Sequence, residues 1–219
     1  MKKVLILVLS LCLILALAAC STRTNQTDVP LSDTDTPNMD TSGEGENHVP
    51  DETTGSKVLV AYFSCTGNTQ GLAEKIAALL GADLYEIVPE EPYTDADLNY
   101  NDSSTRATVE QSDDSARPAI SGSVENMTDY GIVFIGYPIW WGQAPKIMYT
   151  FVESYDLAGK TVVPFCTSGS SGVGSSATNL KTAADSANWL EGTRFSASTS
   201  ESDIEDWFNS LNLGISTNE

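Results

Sequence analysis

Apolar residues from position 57 onward are grouped into short runs that alternate with segments of helical spacing. Long, nearly unbroken apolar runs are typical of strands covered on both faces of a parallel sheet. The predicted strands span residues 57–63, 84–88, 131–136, 161–166 and, more weakly, 189–195. Pro164 lies within the fourth strand and cannot donate a backbone hydrogen bond, so weaker pairing is expected there.

Between these runs, apolar residues recur every three or four positions, which predicts amphipathic helices. Leu72, Ile76 and Leu79 show this spacing in the first helix, and Gly81 is expected to end it. The predicted helices span residues 69–80, 145–154, 175–184 and 201–211. Alternating strands and helices predict an α/β fold. We expect one domain at residues 57–219, a three-layer sandwich in which helices cover both faces of a five-stranded parallel sheet.

An insert at residues 89–130 breaks this alternation. It is too long for a simple crossover and too polar to form a core of its own. A helix is expected near residues 104–112. Connections of this length are usually functional lids or mobile excursions.

The first twenty residues have the pattern of an export signal. Lys2 and Lys3 precede an apolar stretch at residues 4–19, which is short for a membrane span. It ends in Leu-Ala-Ala-Cys, which resembles the lipobox of bacterial lipoproteins. We therefore predict a signal peptide at residues 1–19 and a lipid anchor, with palmitate among its acyl chains, on Cys20. The alternatives are a plain signal peptide with an incidental cysteine, or an uncleaved anchor.

Residues 20–56 lack the side chains that build a core. The segment holds no aromatic residue, and its acidic residues are opposed by Arg23 alone. Such a composition cannot bury enough apolar surface to offset the entropy lost on ordering. We expect a disordered acidic tether that holds the domain at a bacterial cell membrane, on the extracytoplasmic face.

Charge and histidine content exclude several classes of function. The chain has 30 acidic and 11 basic residues, a net charge of −19, so direct binding of nucleic acid is not expected. The one histidine, His48, lies in the tether, which excludes a Ser-His or Cys-His dyad and a multi-histidine metal centre. No catalytic acid or base and no metal site is predicted.

Candidate chemistry is expected in the loops after the predicted strands, because open parallel sheets bind ligands at the carboxyl ends of their strands. After the first strand, residues 64–69 alternate hydroxyl side chains with Gly67 directly before a helix. Hydroxyl groups, backbone N–H groups and a positive helix end together favour a phosphate monoester. This loop contains no Gly-Lys-Ser/Thr, so it is not a nucleoside-triphosphate loop, and it contains no G-x-G-x-x-G of a dinucleotide fold. The alternative is an ordinary turn capped by Thr66 or Asn68.

The loop after the third strand contains two adjacent tryptophans, Trp140 and Trp141, which would suit a flat aromatic ligand. Alternatively they cover the core. We expect this of at least one, since neighbouring side chains on an extended segment point in opposite directions. After the fourth strand, residues 167–174 are small and would let the backbone approach a ligand closely, although a flexible hinge has the same composition.

Together these three loops resemble the flavodoxin family, and the resemblance covers residues 57–219. In that family a Ser/Thr-x-Thr-Gly-x-Thr loop holds the phosphate of FMN, and the loops after strands three and four enclose the isoalloxazine ring. The resemblance implies a sheet order of 2-1-3-4-5 and three sets of FMN contacts. They are phosphate contacts from Ser64, Cys65, Thr66, Gly67, Asn68 and Thr69, flavin contacts from Pro138, Ile139, Trp140, Trp141 and Gly142, and ring-edge contacts from Thr167, Ser168, Gly169 and Gly172.

The chain departs from the family pattern in the loop after strand four, which has no aromatic residue to cover the outer face of the flavin. That face is either open or covered by Tyr93 or Tyr100 from the insert. The phosphate is expected to be held without basic residues. The implied strand order separates Cys65 from Cys166 by more than disulfide reach, so both are expected to be free thiols.

The resemblance implies an FMN-binding lipoprotein that acts in extracytoplasmic electron transfer, with a redox partner protein or a small-molecule electron acceptor. Acidic charge around the flavin is expected to disfavour the reduced, anionic form and to lower its potential. Two alternatives stay open. One is an NAD(P)H-dependent quinone or FMN reductase, and the other is a flavin-free surface lipoprotein that binds a different phosphorylated or aromatic ligand.

Overall fold

A computed structural model describes residues 57–215. The predicted signal peptide, Cys20, the tether and the last four residues lie outside the described residues. The strands in this range are β1 (Lys57–Tyr62), β2 (Asp83–Glu86), β3 (Val88–Pro89), β4 (Ile120–Ser121), β5 (Tyr130–Pro138), β6 (Thr161–Thr167), β7 (Asn188–Trp189) and β8 (Thr193–Phe195). The helices are α1 (Asn68–Leu80), α2 (Arg106–Ser112), α3 (Lys146–Glu153), α4 (Ser176–Lys181) and α5 (Glu201–Leu211), with a 3₁₀ turn at Met127–Asp129.

The main sheet is parallel and has the order β2, β1, β5, β6, with β7 and β8 sharing the fifth position. Because β5 and β6 are the predicted third and fourth strands, the order 2-1-3-4-5 is confirmed. The four predicted helices correspond to α1, α3, α4 and α5, and the ends of the first three differ from the predicted ones by at most three residues. The flavodoxin-like α/β fold class is therefore correct.

Two apolar cores lie on opposite faces of the sheet, because alternate residues of each buried strand point to opposite sides. In β1, Leu59 and Ala61 face one core, whereas Val60 and Tyr62 face the other. Helices α3 and α4 cover the first face, and helices α1 and α5 cover the second. The strands between them are thus buried on both sides, as their continuous apolar runs predicted.

Pro164 accounts for the division of the fifth strand into two pieces. The carbonyl of Val162 accepts a hydrogen bond from Leu190 N at 2.9 Å, so Val162 presents its backbone polar groups to β7. Residues two apart on a strand point to the same side, and Pro164 therefore faces the fifth strand as well. Proline has no N–H to continue the ladder there, and pairing resumes only at Phe165 with Thr193. Pairing with β5 is continuous past Pro164, so the expected weakening affects one side of the strand alone.

The 89–130 insert packs onto the domain. Antiparallel pairing of β3 with β4 joins its start to Ile120 and Ser121, and its predicted helix is present as α2. Ala107 of α2 is fully buried in the first core. The Arg106 side chain donates to the carbonyl of Glu91 at 2.6 Å, which holds the polypeptide before α2 against the helix.

Within residues 57–215, no helix combines the length and the apolar character needed to cross a bilayer.

Candidate functional site

A cavity of about 530 Å³ opens at the carboxyl ends of β1, β5, β6 and β8. Its size falls in the range of roughly 300–1,000 Å³ that is usual for cofactor pockets. All three predicted ligand loops reach it, together with the insert and the segment after β8. The lining residues are Ser64, Cys65, Thr66, Asn68, Thr69, Asp95, Leu98, Tyr100, Pro138, Ile139, Trp140, Thr167, Ser168, Gly169, Arg194, Ser196 and Ala197.

Four of the predicted contact residues do not line this cavity. They are Gly67, Trp141, Gly142 and Gly172. Gly67 and Gly142 have left-handed φ values of 81° and 77°, so each shapes its loop through the backbone. The other predicted contact residues are brought together around one space, although they come from three separate parts of the sequence.

The loop after β1 leaves the start of α1 open to a ligand. Gly67 precedes the helix and has no side chain to cap it, and the first turn contains no acidic residue. Thr66 and Asn68 instead bond to each other, with Asn68 Nδ2 donating to Thr66 Oγ1 at 3.2 Å. The alternative of a turn capped by either residue is therefore wrong. Unpaired N–H groups and the positive end of the helix dipole form a position suited to an anion.

Thr69 connects this loop to the end of β6. Its Oγ1 lies 2.8 Å from Oγ1 of Thr167, and the two residues are 1% and 5% exposed. Both residues also line the cavity. A buried hydroxyl pair therefore fixes the distance between the anion-binding helix start and the loop after β6.

The two tryptophans sit at a tight turn in the loop after β5. Trp140 and Gln143 exchange two backbone hydrogen bonds of 2.9 Å. The residues between them, Trp141 and Gly142, have φ values of 47° and 77°, the left-handed conformation that type I′ turns require. A bulky side chain rarely adopts this conformation, so the turn holds Trp141 under strain.

Trp140 and Trp141 point in opposite directions from this turn. Trp140 is 3% exposed and packs edge-on against Phe63 and Tyr93, with ring centroids 5.5 Å and 5.3 Å away. Trp141 is 43% exposed and lies 4.9 Å from the ring of Tyr100. The expectation that at least one tryptophan covers the core is confirmed by Trp140, which also closes one wall of the cavity.

Tyr93 and Tyr100 were both candidates to cover the outer face of a flavin, and the structure separates them. Tyr93 is partly buried, packs against Phe63 and Trp140, and does not line the cavity. Its hydroxyl donates to Glu110 at 2.5 Å, and burial together with this carboxylate raises its pKa well above the usual range. Tyr100 is 59% exposed and lines the cavity, so it alone is placed to cover a ligand.

Gln111 of α2 ties the insert to the tryptophan turn. Its Nε2 donates to the carbonyls of Trp140 and Ala144 at 3.1 and 3.3 Å, and its Oε1 accepts from Lys146 N at 3.1 Å. One amide side chain thus satisfies backbone groups on both sides of the turn. The insert therefore supports the site as well as lining it.

The loop after β6 presents backbone groups to the cavity, as its small residues suggested. Thr167, Ser168 and Gly169 line the cavity, and the Ser168 hydroxyl donates to the carbonyl of Ser171. In the part of the chain that the structure describes, no acceptor is bonded to the backbone N–H of Gly169 or Ser170. These donors are free to bind the polar edge of a ligand.

Arg194 is a basic residue in the cavity lining that sequence reasoning missed. The placement of Arg194 follows from that of β8, because the carboxyl end of this strand faces the cavity as the ends of the other strands do. Its Nη2 donates to the carbonyls of Ser168 and Gly169 at 2.6 and 3.0 Å. The strand-end rule, applied to the short fifth strand, would have identified it.

Both cysteines in the described range are free thiols, as expected. Cys65 is exposed at the cavity, whereas Cys166 is buried beneath the end of β6. Loss of hydration raises the pKa of Cys65 to about 12, an effect that the nearby Arg106 opposes. Burial likewise raises the pKa of Cys166 to about 12. Both are therefore neutral thiols at physiological pH, and neither is activated as a nucleophile.

Comparison with known families matches residues 57–211 to the family described as flavodoxin. A solved candidate flavoprotein from Bacteroides eggerthii is 51% identical, with a TM-score of 0.69, and the match covers 72% of this chain and 98% of that one. Another from Bacteroides uniformis is 42% identical, with a TM-score of 0.68 and coverage of 71% and 99%.

A flavoprotein from Lactobacillus acidophilus, solved in complex with FMN, is 24% identical to this chain. Its TM-score is 0.54, and the match covers 70% of this chain and 99% of that one. At this level of identity the likeness concerns the fold alone. Among curated proteins, none matches the chain.

Proposed function

Because this chain belongs to the flavodoxin family, we propose that it binds FMN in the cavity at the strand ends and serves in extracytoplasmic electron transfer. One observation carries the proposal. The uncapped start of α1 opens into the same cavity as the tryptophan turn and the loop after β6. A phosphate position thus lies within reach of an aromatic wall and of free backbone donors, the three requirements of a flavin mononucleotide.

The phosphate end of the cavity fits a phosphate monoester. Ser64, Thr66 and Thr69 supply hydroxyl groups around the first turn of α1. Ser64 Oγ accepts from Gly67 N at 3.1 Å, which shapes the loop before a ligand arrives. No carboxylate lies in the first turn of the helix, so nothing there repels an anion.

The remaining walls fit a flat ring. Pro138, Ile139 and Trp140 form an apolar side, and the backbone of the loop after β6 offers hydrogen-bond donors. FMN supplies one- and two-electron redox chemistry when it is bound. The contribution of the protein is to orient the ring, to exclude water from its inner side through the packed Trp140, and to leave its outer side near Tyr100.

The proposed location rests on the N-terminal sequence. Lys2 and Lys3, the apolar residues 4–19 and the Leu-Ala-Ala-Cys sequence support export and lipidation at Cys20. The acidic segment that follows has the length and composition of a tether. The domain would then exchange electrons outside the cell membrane with a partner protein or a small-molecule acceptor.

A reductase is the second candidate function, and the open mouth of the cavity favours it. Tyr100 and Trp141 are the large side chains at this side, and both are substantially exposed. The loop after β6 adds no aromatic cover. A nicotinamide or a quinone would therefore have access to the outer face of the ring, as two-electron transfer requires.

A titration with FMN tests the proposal. The purified full chain is mixed with FMN while flavin fluorescence and the visible spectrum are recorded, and saturable quenching is expected at micromolar protein. A chain that leaves the spectrum unchanged would refute both flavin functions and favour a flavin-free ligand site. Anaerobic addition of NADH or NADPH to the loaded protein then separates the candidates, since a carrier stays oxidised without its partner and a reductase does not.

A further inference from the structure

Among the described residues that line the cavity, Arg194 is the one cationic side chain. Its surroundings make this unusual, because residues 57–215 contain 21 acidic residues against eight basic ones. Asp95, which is exposed, is the one acidic residue in the lining. A dianionic phosphate entering this domain meets a negative field, which a local positive charge would offset.

The charge of Arg194 is not neutralised by any carboxylate of the described residues. Ion pairs in residues 57–215 join Lys57, Arg106, Arg117 and Lys146 to acidic partners, and Arg194 is not among them. Its three hydrogen bonds go instead to the carbonyls of Ser168 and Gly169 and, at 3.3 Å, to Ser168 Oγ. Uncharged acceptors orient a guanidinium but leave its net charge in place.

Those bonds also leave part of the guanidinium free. They use Nε and Nη2, whereas Nη1 is bonded to no acceptor within residues 57–215. A guanidinium has five N–H donors in a planar fork, which suits phosphate and other oxyanions. The side chain is half-buried at the cavity wall, so water weakens its charge less than at an open surface.

We propose that Arg194 binds an anionic group of the cofactor, its N–H donors held in place by the loop after β6. This inference rests on the proposed binding of FMN. Two parts of FMN carry the required negative charge, the phosphate and the reduced isoalloxazine ring. In either position Arg194 acts against the acidic field that would otherwise expel the anion.

Three variants of the full chain test this assignment. Arg194→Gln removes the charge but keeps an N–H donor for the Ser168 carbonyl, and Arg194→Lys keeps the charge. Lys181→Gln is the matched control, because Lys181 is exposed and outside the cavity lining. For each variant we measure the affinity for FMN and for riboflavin, which lacks the phosphate, and the midpoint potential of bound FMN. Thermal unfolding shows whether each variant folds.

If Arg194 contacts the phosphate, Arg194→Gln should bind FMN at least about tenfold more weakly, with riboflavin affinity nearly unchanged. If it contacts the reduced ring, oxidised FMN binds normally but the midpoint potential falls, by about 30 mV for each tenfold loss of preference in a two-electron couple. In both cases the ligand affinities and the midpoint potential of Arg194→Lys should stay close to those of the unaltered chain. Those of Lys181→Gln should equal them.

Equal weakening of FMN and riboflavin by Arg194→Gln, with an unchanged potential, would overturn the inference, since it would reduce Arg194 to a brace for the loop. No effect on any of the three quantities would overturn it as well. If Arg194→Gln does not fold, Arg194→Lys decides the question. A preference for FMN over riboflavin and a midpoint potential equal to those of the unaltered chain would support a role for the positive charge. A change in either quantity would contradict that role. Failure of the unaltered chain to bind FMN is a separate result, and it would refute the proposed function together with this inference.

Discussion

The side-chain oxygens of Thr69 and Thr167 lie 2.8 Å apart, which joins the first turn of α1 to the carboxyl end of β6. Both residues are buried, so the bond fixes two of the three ligand loops from within the domain. The cavity is therefore held open by contacts that exist without a ligand. Preorganisation of this kind reduces the ordering cost of binding.

Replacing Thr69 with valine should both destabilise the domain and weaken FMN binding. The change leaves the Thr167 hydroxyl without its partner, at an expected cost of about 1–3 kcal/mol in the free energy of unfolding. Urea unfolding and FMN titration measure the two effects. Thr69→Ser keeps the hydroxyl and should retain most of the stability and of the FMN affinity. Thr178→Val, at an exposed position, is the control. A Thr69→Val protein as stable as the control would show that the hydroxyl pair is not a structural link.

The two tryptophans should respond differently to substitution. Trp140→Ala removes a side chain packed between Phe63 and Tyr93, and we expect a loss of about 3–5 kcal/mol of unfolding free energy. Trp141→Asn should change stability by less than about 1 kcal/mol, because the side chain is exposed and asparagine tolerates a left-handed φ. Thermal or urea unfolding of the two variants makes the comparison.

The same Trp141→Asn variant tests whether the side chains at the mouth of the cavity contribute to FMN binding. Loss of the ring that lies against Tyr100 should weaken FMN binding several-fold without unfolding the protein. Comparable destabilisation by both tryptophan variants would contradict the assignment of Trp140 to the core and Trp141 to the surface.

The buried thiol of Cys166 predicts a loss of stability at alkaline pH. Its pKa rises from 9.0 to about 12 on folding, so the folded state favours the protonated thiol. This contribution is complete below pH 9 and is lost as the pH rises toward 12. Unfolding free energies measured across that interval should fall less steeply in Cys166→Ala than in the unaltered chain. Identical slopes would mean that the thiol remains hydrated in the folded protein. Folding also raises the pKa of Tyr62 and of Tyr130 to about 12, so these residues contribute to the pH dependence of stability in both proteins.

Membrane attachment should depend on Cys20. Cys20→Ala is expected to shift the protein out of the membrane fraction, and the N-terminal peptide of the unaltered protein should carry the mass of its acyl chains. Cys12→Ala, within the predicted signal peptide, is the control and should leave attachment intact. A Cys20→Ala protein that stays in the membrane would favour an uncleaved anchor, and unaltered protein found in the medium would favour a plain signal peptide.

The strands of the sheet could be predicted because their signals are local and strong, whereas the strand order was implied by the resemblance to the flavodoxin family. Long apolar runs such as that of β5 admit few other interpretations, and the 3- and 4-residue spacing of Ile204, Trp207, Phe208 and Leu211 predicted α5 with its observed bounds. The burial of at least one of the two tryptophans was also predictable, since adjacent side chains rarely face the same way. Which of the two tryptophans turns inward depends on the left-handed turn, and the sequence has no local signal for that.

Residues placed by distant contacts were the ones missed. Asp95 and Leu98 reach the cavity because the insert is folded back by Arg106, which pairs with Glu110 at 2.7 Å and lies 4.2 Å from the ring centroid of Tyr93. Tyr93 in turn packs against Phe63 and Trp140, which are distant from the insert in the sequence. Arg194 was missed for a different reason, because its strand is short and interrupted and therefore has only a weak apolar signal to mark its carboxyl end.

The break in the fifth strand beside Pro164 also affects the tendency of this protein to associate with other copies of itself. An outer strand normally exposes a row of unpaired N–H and C=O groups that can recruit a strand from another molecule. Here the outer position holds only the short β7 and β8, with a break between them. A neighbouring chain would find no continuous template, so the missing hydrogen bond of one proline protects this edge against aggregation.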